Sequence, residues 1–85
     1  MEIEFTLEAQ KQIEEWKKSG NKQVQKKIAE LIISILETPF TGIGKPEALK
    51  HNWTGFWSRL INDEHRLVYQ VLEDRIIIIQ LKYHY

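Results

Sequence analysis

The sequence contains no cysteine and no long apolar run, and each absence excludes a class of protein. Without thiols the chain cannot form a disulfide framework, a thiolate metal site or a cysteine nucleophile. The longest apolar runs, LIISIL and IIIIQL, are far shorter than the ~20 residues that a membrane span requires. No signal-peptide pattern opens the chain. We therefore predict a protein without membrane contact that is located in the cytoplasm.

An excess of charge of either sign is also missing, because twelve basic residues balance twelve acidic ones. A neutral chain does not attract polyanions as a whole, so any binding to RNA or DNA must depend on a local arrangement of side chains. The 85 residues, of which 42% are hydrophobic, suffice for one core. We predict a single domain that spans residues 1–85.

The first forty residues carry the pattern of one short strand and two helices. Ile3 and Phe5 alternate with glutamates, which is typical of a strand with one buried face. Thr6 is expected to cap a helix over residues 7–18, and the tripeptide SGN then supplies a glycine to end it and an asparagine to cap the next. The second helix carries a wide apolar stripe and ends before Pro39, which disfavours helical geometry in the preceding residue.

A loop over residues 41–55 holds three of the four glycines, and a short strand pairing around Leu49 would shorten it. Beyond this loop, FWSRLI, HRLVYQVL and RIIIIQLKYHY have the composition of strands separated by two tight turns, which indicates an antiparallel meander. We therefore predict an α+β fold in which the two N-terminal helices pack on one face of an antiparallel β-sheet.

Alternation along the last predicted strand assigns its side chains to two faces. One face is apolar along its whole length and comprises Ile77, Ile79, Leu81 and Tyr83. The other face begins with isoleucines and becomes polar from Gln80 onward, so we expect it to be covered at its start and open at its end. His84 is expected to point into that opening.

The side chains that remain for chemistry are glutamates, histidines, arginines and lysines. Histidines and carboxylates do not cluster at ligand spacing, so we predict neither a metal nor another cofactor. Cleavage of RNA by its own 2′-hydroxyl group requires a base, an acid, and cations that stabilise the charge around phosphorus. An ionised glutamate can serve as the base and a histidine as the acid, and the arginine fork matches phosphate oxygens.

Every candidate for this chemistry also has a purely structural interpretation. Arg59 and Arg66 equally fit solvated strand residues or ion-pair partners, and Glu47 fits the polar surface of a loop. His51 and His65 fit loop and turn positions. The aromatic residues around the NWTGFW stretch are more typical of packing than of a base-stacking platform. Composition and spacing therefore leave the function open.

The order of short motifs in the chain resembles the YoeB toxins of the RelE superfamily, the toxin halves of YefM–YoeB type bacterial toxin–antitoxin modules. The motifs are GKPE, LKHN, GFWSR, EHRLVY and YHY, in this order within 85 residues. The resemblance is strongest from Thr38 to Val71 and at the last residues, and it is weaker across the first helix. It implies a small α+β ribonuclease fold that cleaves mRNA in the ribosomal A site.

The resemblance also implies roles for individual residues. Glu47 of GKPE resembles the general base, Arg66 of EHRLVY the phosphate-stabilising residue, and His84 of YHY the general acid. Tyr85 matches a terminal tyrosine that shapes the site and positions the substrate. These four residues form the predicted catalytic set.

Two further basic residues, Lys50 and Arg59, match positions that contact substrate phosphates in the family. The chain departs from the family at Ile43, where a polar or basic residue is common, and at Leu60, where a second arginine is common. Both departures remove positive charge near the site, so they bear on affinity for the ribosome or substrate and leave the catalytic set intact.

The resemblance implies three partners, namely the ribosome, mRNA and a partly disordered YefM-like antitoxin, and it leaves monomer and homodimer open. Because phosphate contacts supply most non-specific affinity for RNA, a neutral chain is expected to bind free RNA poorly and to act on mRNA that the ribosome presents. Two alternatives remain: a non-catalytic binding module of the same fold in an antitoxin or repressor complex, and a ribonuclease that works without the ribosome.

Overall fold

The computed structural model describes residues 1–83 and shows two helices packed on one face of a five-stranded sheet. The strands are β1 (Glu2–Phe5), β2 (Glu47–Ala48), β3 (Phe56–Leu60), β4 (Arg66–Val71) and β5 (Arg75–Gln80), and the helices are α1 (Leu7–Ser19) and α2 (Lys22–Glu37). Within these 83 residues no helix is long and apolar enough to cross a membrane. The predictions for His84 and Tyr85 fall outside the described residues.

Local hydrogen bonds set the helix boundaries that the sequence predicts. The Oγ1 atom of Thr6 accepts a hydrogen bond from the backbone N–H of Ala9 at 3.0 Å, and this caps α1. Gly20 ends α1 in the left-handed conformation, with φ of 72°. The Oδ1 atom of Asn21 then accepts from the N–H of Val24 at 3.0 Å and caps α2. The predicted caps of both helices are confirmed.

The sheet has the strand order β1-β5-β4-β3-β2 and is mixed. Strands β2 to β5 pair antiparallel, which confirms the predicted meander, and β2 is the short pairing expected near Leu49. The prediction of an entirely antiparallel sheet is wrong for β1, which pairs with β5 in parallel. Parallel neighbours need a long connection between them, and the helices together with the meander provide it. The alternation within β1 gives no information about this direction.

The core lies between the helices and the helix-facing side of the sheet. The α2 stripe contributes four buried residues, Val24, Ile28, Leu31 and Ile35. The sheet and the segment after it contribute Leu67, Tyr69, Ile76, Ile78 and Leu81, all fully buried. The opposite side of the sheet, called the outer face below, is the side away from both helices.

A register shift between β4 and β5 changes the side-chain alternation that the sequence predicts for the last strand. Two adjacent residues of β4 pair with Ile78 and Gln80, so Ile79 is an extra residue, as in a β-bulge. The side chains that are fully buried here are Ile76, Ile78 and Leu81. The predicted division into two faces is therefore wrong beyond the bulge, and β5 ends at Gln80 instead of continuing to the end of the sequence.

Candidate active site

Glu47 begins β2, which forms one edge of the sheet beside β3. Its backbone pairs with Ser58 of β3, and residues paired across strands lie on the same face of a sheet. Ser58 alternates with Arg59, whose side chain reaches α2, so Ser58 and Glu47 belong to the outer face. The side chain of Glu47 is exposed, as a group that meets a large substrate must be.

Arg66 begins β4 and shares the outer face with Ser58. Its Nη1 atom donates a hydrogen bond to the Oγ atom of Ser58 at 3.3 Å. The serine is fully buried, whereas the arginine is half-buried. Glu47 and Arg66 therefore both adjoin Ser58, one through strand pairing and the other through its side chain, and the fold brings these two predicted catalytic residues together.

The segment after β5 also returns to Arg66. The backbone N–H of Arg66 donates to the carbonyl oxygen of Tyr83 at 3.1 Å. Tyr83 is the last described residue, and His84 and Tyr85 follow it directly. The described part of the chain therefore ends beside Arg66 of the predicted site.

Side chains of α1 hold this returning segment. The backbone N–H of Leu81 donates to Oε1 of Gln12, and its carbonyl oxygen accepts from Nε1 of Trp16 at 2.9 Å. Lys82 forms an ion pair with Glu15, with 2.9 Å between Nζ and Oε2. The hydrogen bond between these two side chains lowers the pKa of the Glu15 carboxyl and raises the pKa of the Lys82 ammonium group. Helix α1 thus fixes the path of the chain into Tyr83.

Lys50 lies near Glu47 on an exposed depression of about 280 Å³ that is lined by residues 47–51. A single turn of 3-10 helix, His51–Trp53, follows it and turns the chain toward β3. The depression therefore presents a carboxylate and an ammonium group on one short stretch of chain. That Lys50 contacts substrate phosphates stays a prediction.

The structure contradicts the prediction that Arg59 contacts a substrate phosphate. Arg59 is fully buried on the helix-facing side of β3. A guanidinium group has five N–H donors, and all five are used here, at donor–acceptor distances of 2.7 to 3.1 Å. The acceptors are the hydroxyl groups of Ser34 and Tyr69 and the carbonyl oxygens of Thr38, Thr41 and Ile43.

The contacts of Arg59 show a structural role. Three of its acceptors are carbonyl oxygens of the loop that leads from α2 to Glu47, so the guanidinium fixes this loop against the sheet. The hydroxyl of Tyr69 adds a fourth anchor, because it donates to the carbonyl oxygen of Pro39 at 2.7 Å. Burial raises the pKa of Tyr69, against a smaller opposing effect of Arg59, so the phenol keeps the proton it donates.

Gly44 brings this loop close to the buried Leu31 of α2. It has φ of 81°, and a Cβ atom there would lie 2.6 Å from Cδ2 of Leu31. Gly20 has a similar φ of 72°, but a Cβ atom added there would have no neighbour within 4 Å. We expect Gly44→Ala to lower the melting temperature by at least about 5 °C more than Gly20→Ala, because only Gly44 adds overpacking to backbone strain. Equal melting temperatures in thermal denaturation would contradict this packing.

Comparison with known families identifies the chain. A family model described as the YoeB-like toxin of bacterial type II toxin–antitoxin systems matches residues 5–85. The chain belongs to the YoeB-like toxins. The toxin YoeB of Escherichia coli K12 is 57% identical over 65 residues, which cover 76% of this chain and 77% of that protein. The predicted family is therefore confirmed.

Solved structures of YoeB-like toxins share the whole fold. A YoeB/ParE toxin from Agrobacterium tumefaciens has a TM-score of 0.95 and 40% identity, with full coverage of both chains. A YoeB dimer from Staphylococcus aureus has a TM-score of 0.88 and 45% identity, and it covers 100% of this chain and 98% of that one. The S. aureus toxin is also solved in a complex with YefM, with a TM-score of 0.87. The predicted arrangement of two helices on a sheet is confirmed as that of YoeB-like toxins.

Three residues of this YoeB-like site were not predicted from the sequence. Ser58 accepts a hydrogen bond from Arg66 on the outer face. Gln12 accepts one from the N–H of Leu81, and His65 accepts one from the N–H of Tyr83. For Ser58 and His65 the available signal was their place inside the GFWSR and EHRLVY motifs. Gln12 gave no such signal, because it is a polar residue that the fold buries within an amphipathic helix.

Proposed function

We propose that this YoeB-like toxin is a ribosome-dependent endoribonuclease that cleaves mRNA in the A site and thereby inhibits translation. The observation that carries the proposal is that Glu47 and Arg66 both adjoin Ser58, while the backbone of Arg66 is bonded to Tyr83, the residue before His84. A base, a cation and an acid can act on one phosphodiester only when they are neighbours. The proximity of Glu47 and Arg66 on the outer face supports the proposal.

The proposed reaction uses no metal ion. Glu47 accepts the proton of the 2′-hydroxyl group, and the 2′-oxygen forms a bond to the adjacent phosphorus. Arg66 stabilises the negative charge of the pentacoordinate phosphorane, and Lys50 contributes a second positive charge. As the bond from phosphorus to the 5′-oxygen breaks, His84 donates a proton to that oxygen. The products are a 2′,3′-cyclic phosphate and a 5′-hydroxyl end.

The ribosome has a physical role in this proposal. The chain has no net charge, so its long-range attraction to free RNA is weak. Ribosome-bound mRNA is already fixed in position, and the toxin then needs to orient only the phosphodiester at the A site. The proposed localisation follows from that of the ribosome, in the cytoplasm.

The products and the substrate requirement test the proposal together. Purified toxin is added to mRNA on programmed ribosomes and to the same mRNA alone, and both ends of each product are identified chemically. We expect cleavage within the A-site codon only on ribosomes, with a 5′-hydroxyl and a cyclic phosphate. Equal cleavage of free mRNA would show a ribosome-independent ribonuclease, and a 5′-phosphate end would exclude attack by the 2′-oxygen.

The proposed protein partners are a YefM-like antitoxin and a second copy of the chain. Support comes from the relative in Staphylococcus aureus, which is solved as a dimer and in complex with YefM at 45–46% identity to this chain. Co-expression with the antitoxin of the same module should abolish growth arrest. Light scattering of the purified toxin determines whether it is a monomer or a dimer.

Deleting Tyr85 is expected to lower cleavage far more than stability. The described contacts that hold the segment all precede it, at Leu81, Lys82 and Tyr83. We expect a loss of about tenfold to a hundredfold in cleavage rate on ribosomes. The melting temperature should change by less than about 4 °C, because these contacts remain in the truncated chain. A truncated chain that cuts at the parent rate would place Tyr85 outside the site.

A further inference from the structure

His65 ends the turn before β4, and its ring makes a contact that the proposed reaction does not use. The Nδ1 atom accepts a hydrogen bond from the backbone N–H of Tyr83 at 2.8 Å. The carbonyl oxygen of Tyr83 accepts from the N–H of Arg66 at 3.1 Å. Two consecutive residues therefore hold both backbone polar groups of the residue that precedes His84.

The ring of His65 is itself held in place. It packs edge-on against the indole of Trp16, with 4.9 Å between ring centroids and an interplanar angle of 89°. Its own backbone N–H donates to Oδ1 of Asn62 at 2.8 Å, which fixes the turn. A neutral imidazole that accepts at Nδ1 carries its proton on Nε2. His65 is therefore a rigid acceptor aimed at one backbone group.

Tyr83 has an uncommon backbone conformation, with φ of 65°. An aromatic side chain rarely adopts this left-handed region, and such a residue persists only where its surroundings hold it there. The N–H of Tyr83 donates to His65, and its carbonyl oxygen accepts from Arg66. These two hydrogen bonds hold its backbone, while its ring lies 5.8 Å from the ring of His65 and 5.3 Å from Nζ of Lys82. Tyr83 directly precedes His84 in the sequence.

We propose that His65 is a positioning residue of the active site. As a hydrogen-bond acceptor, its Nδ1 atom keeps Tyr83, the residue that directly precedes the proposed acid His84, in the left-handed conformation. The inference rests on the proposed function, because it gives His84 the role of the acid. His65 itself touches neither substrate nor the reacting atoms.

Two variants separate this role from simple packing. His65→Phe keeps an aromatic ring against Trp16 but removes the acceptor. His65→Asn loses the ring but places an amide oxygen close to the position of Nδ1, where it can accept the same N–H. We expect His65→Phe to lower kcat about tenfold to a hundredfold on programmed ribosomes at unchanged KM, and His65→Asn to restore most of that loss. In melting temperature the order reverses, with His65→Phe the more stable variant because it keeps the ring contact.

A purely structural role predicts the opposite, since activity would then follow stability. If His65→Phe cuts at the parent rate, or if His65→Asn is the less active of the two, the inference is overturned.

Hydrogen exchange of the Tyr83 amide provides a readout that needs no ribosome. We expect this amide to be protected in the parent chain and in His65→Asn, and to exchange faster in His65→Phe. Equal exchange in all three chains overturns the inference even if cleavage changes. A parent chain that shows the protection but fails to cut on ribosomes overturns the proposed function instead, so the two failures are distinguishable.

Discussion

Arg59→Met is expected to lower the melting temperature of the toxin by about 15–30 °C. The substitution keeps an unbranched side chain of moderate size and removes five hydrogen-bond donors from a fully buried position. The carbonyl oxygens of Thr38, Thr41 and Ile43 then lose the partner that holds their loop. The loss of these buried hydrogen bonds, together with those to the hydroxyl groups of Ser34 and Tyr69, costs about 4 kcal/mol in the free energy of unfolding. That is a large part of the about 5–15 kcal/mol typical of a domain.

Arg66→Met is the matched control for this prediction. It makes the same chemical change on the outer face, where the arginine is half-buried and bonded to Ser58. We expect its melting temperature, followed by circular dichroism, to stay within about 8 °C of the parent value, while cleavage is lost. If Arg59→Met melted close to the parent and lost only cleavage, a contact between Arg59 and the substrate would again be the better explanation.

Glu47→Gln is expected to lower the rate of mRNA cleavage on programmed ribosomes by about 10²–10⁴-fold. The amide keeps the size of the side chain but cannot take a proton from the 2′-hydroxyl group, so the contribution of the general base is lost. Because Glu47 is exposed, the free energy of unfolding of the variant should be almost the same as that of the parent. Single-turnover cleavage measures the effect without interference from product release.

Glu73→Gln is the control for the loss of one negative charge. Glu73 is exposed in the turn between β4 and β5, at the far end of β4 from Arg66. This variant should cut like the parent. The two glutamine variants are also compared by the growth arrest that they cause in cells. Should Glu47→Gln arrest growth as strongly as the parent, the chain would act as a binding module without catalysis.

The parts of the fold that the sequence predicts correctly are those that local interactions determine. Thr6, Gly20 and Asn21 cap helices through atoms a few residues away, and the apolar stripe of α2 is buried as its spacing indicates. The meander follows from two short turns between strongly β-forming segments. Glu47 and Arg66 meet because their strands both pair with β3, so the meander alone brought them close.

The parts that were predicted incorrectly depend on contacts between distant segments. The extra residue Ile79 in β5 leaves no mark in a run of four isoleucines, yet it reverses the faces predicted for Gln80 and Leu81. The direction of β1 depends on which strand it meets. The burial of Arg59 depends on carbonyl oxygens from a loop whose path cannot be derived from its composition.

Arg59 supports the predicted site from the helix-facing side of the sheet. Its guanidinium group fixes residues 38–43 through their carbonyl oxygens. The same loop then continues through Pro46 to Glu47. A buried cation thus supports the edge of the sheet where the proposed general base stands. The GFWSR motif therefore combines a structural arginine with Ser58, which binds the outer-face arginine.

The most direct test of the central claim uses a programmed ribosome whose A-site codon carries a 2′-deoxynucleotide at the cleavage position. We expect the toxin to leave this mRNA intact while it cuts the all-ribose mRNA under the same conditions, because the attacking oxygen is missing. Undiminished cleavage of the deoxy-substituted mRNA would contradict attack by the 2′-hydroxyl group, and with it the roles proposed for Glu47, Arg66 and His84.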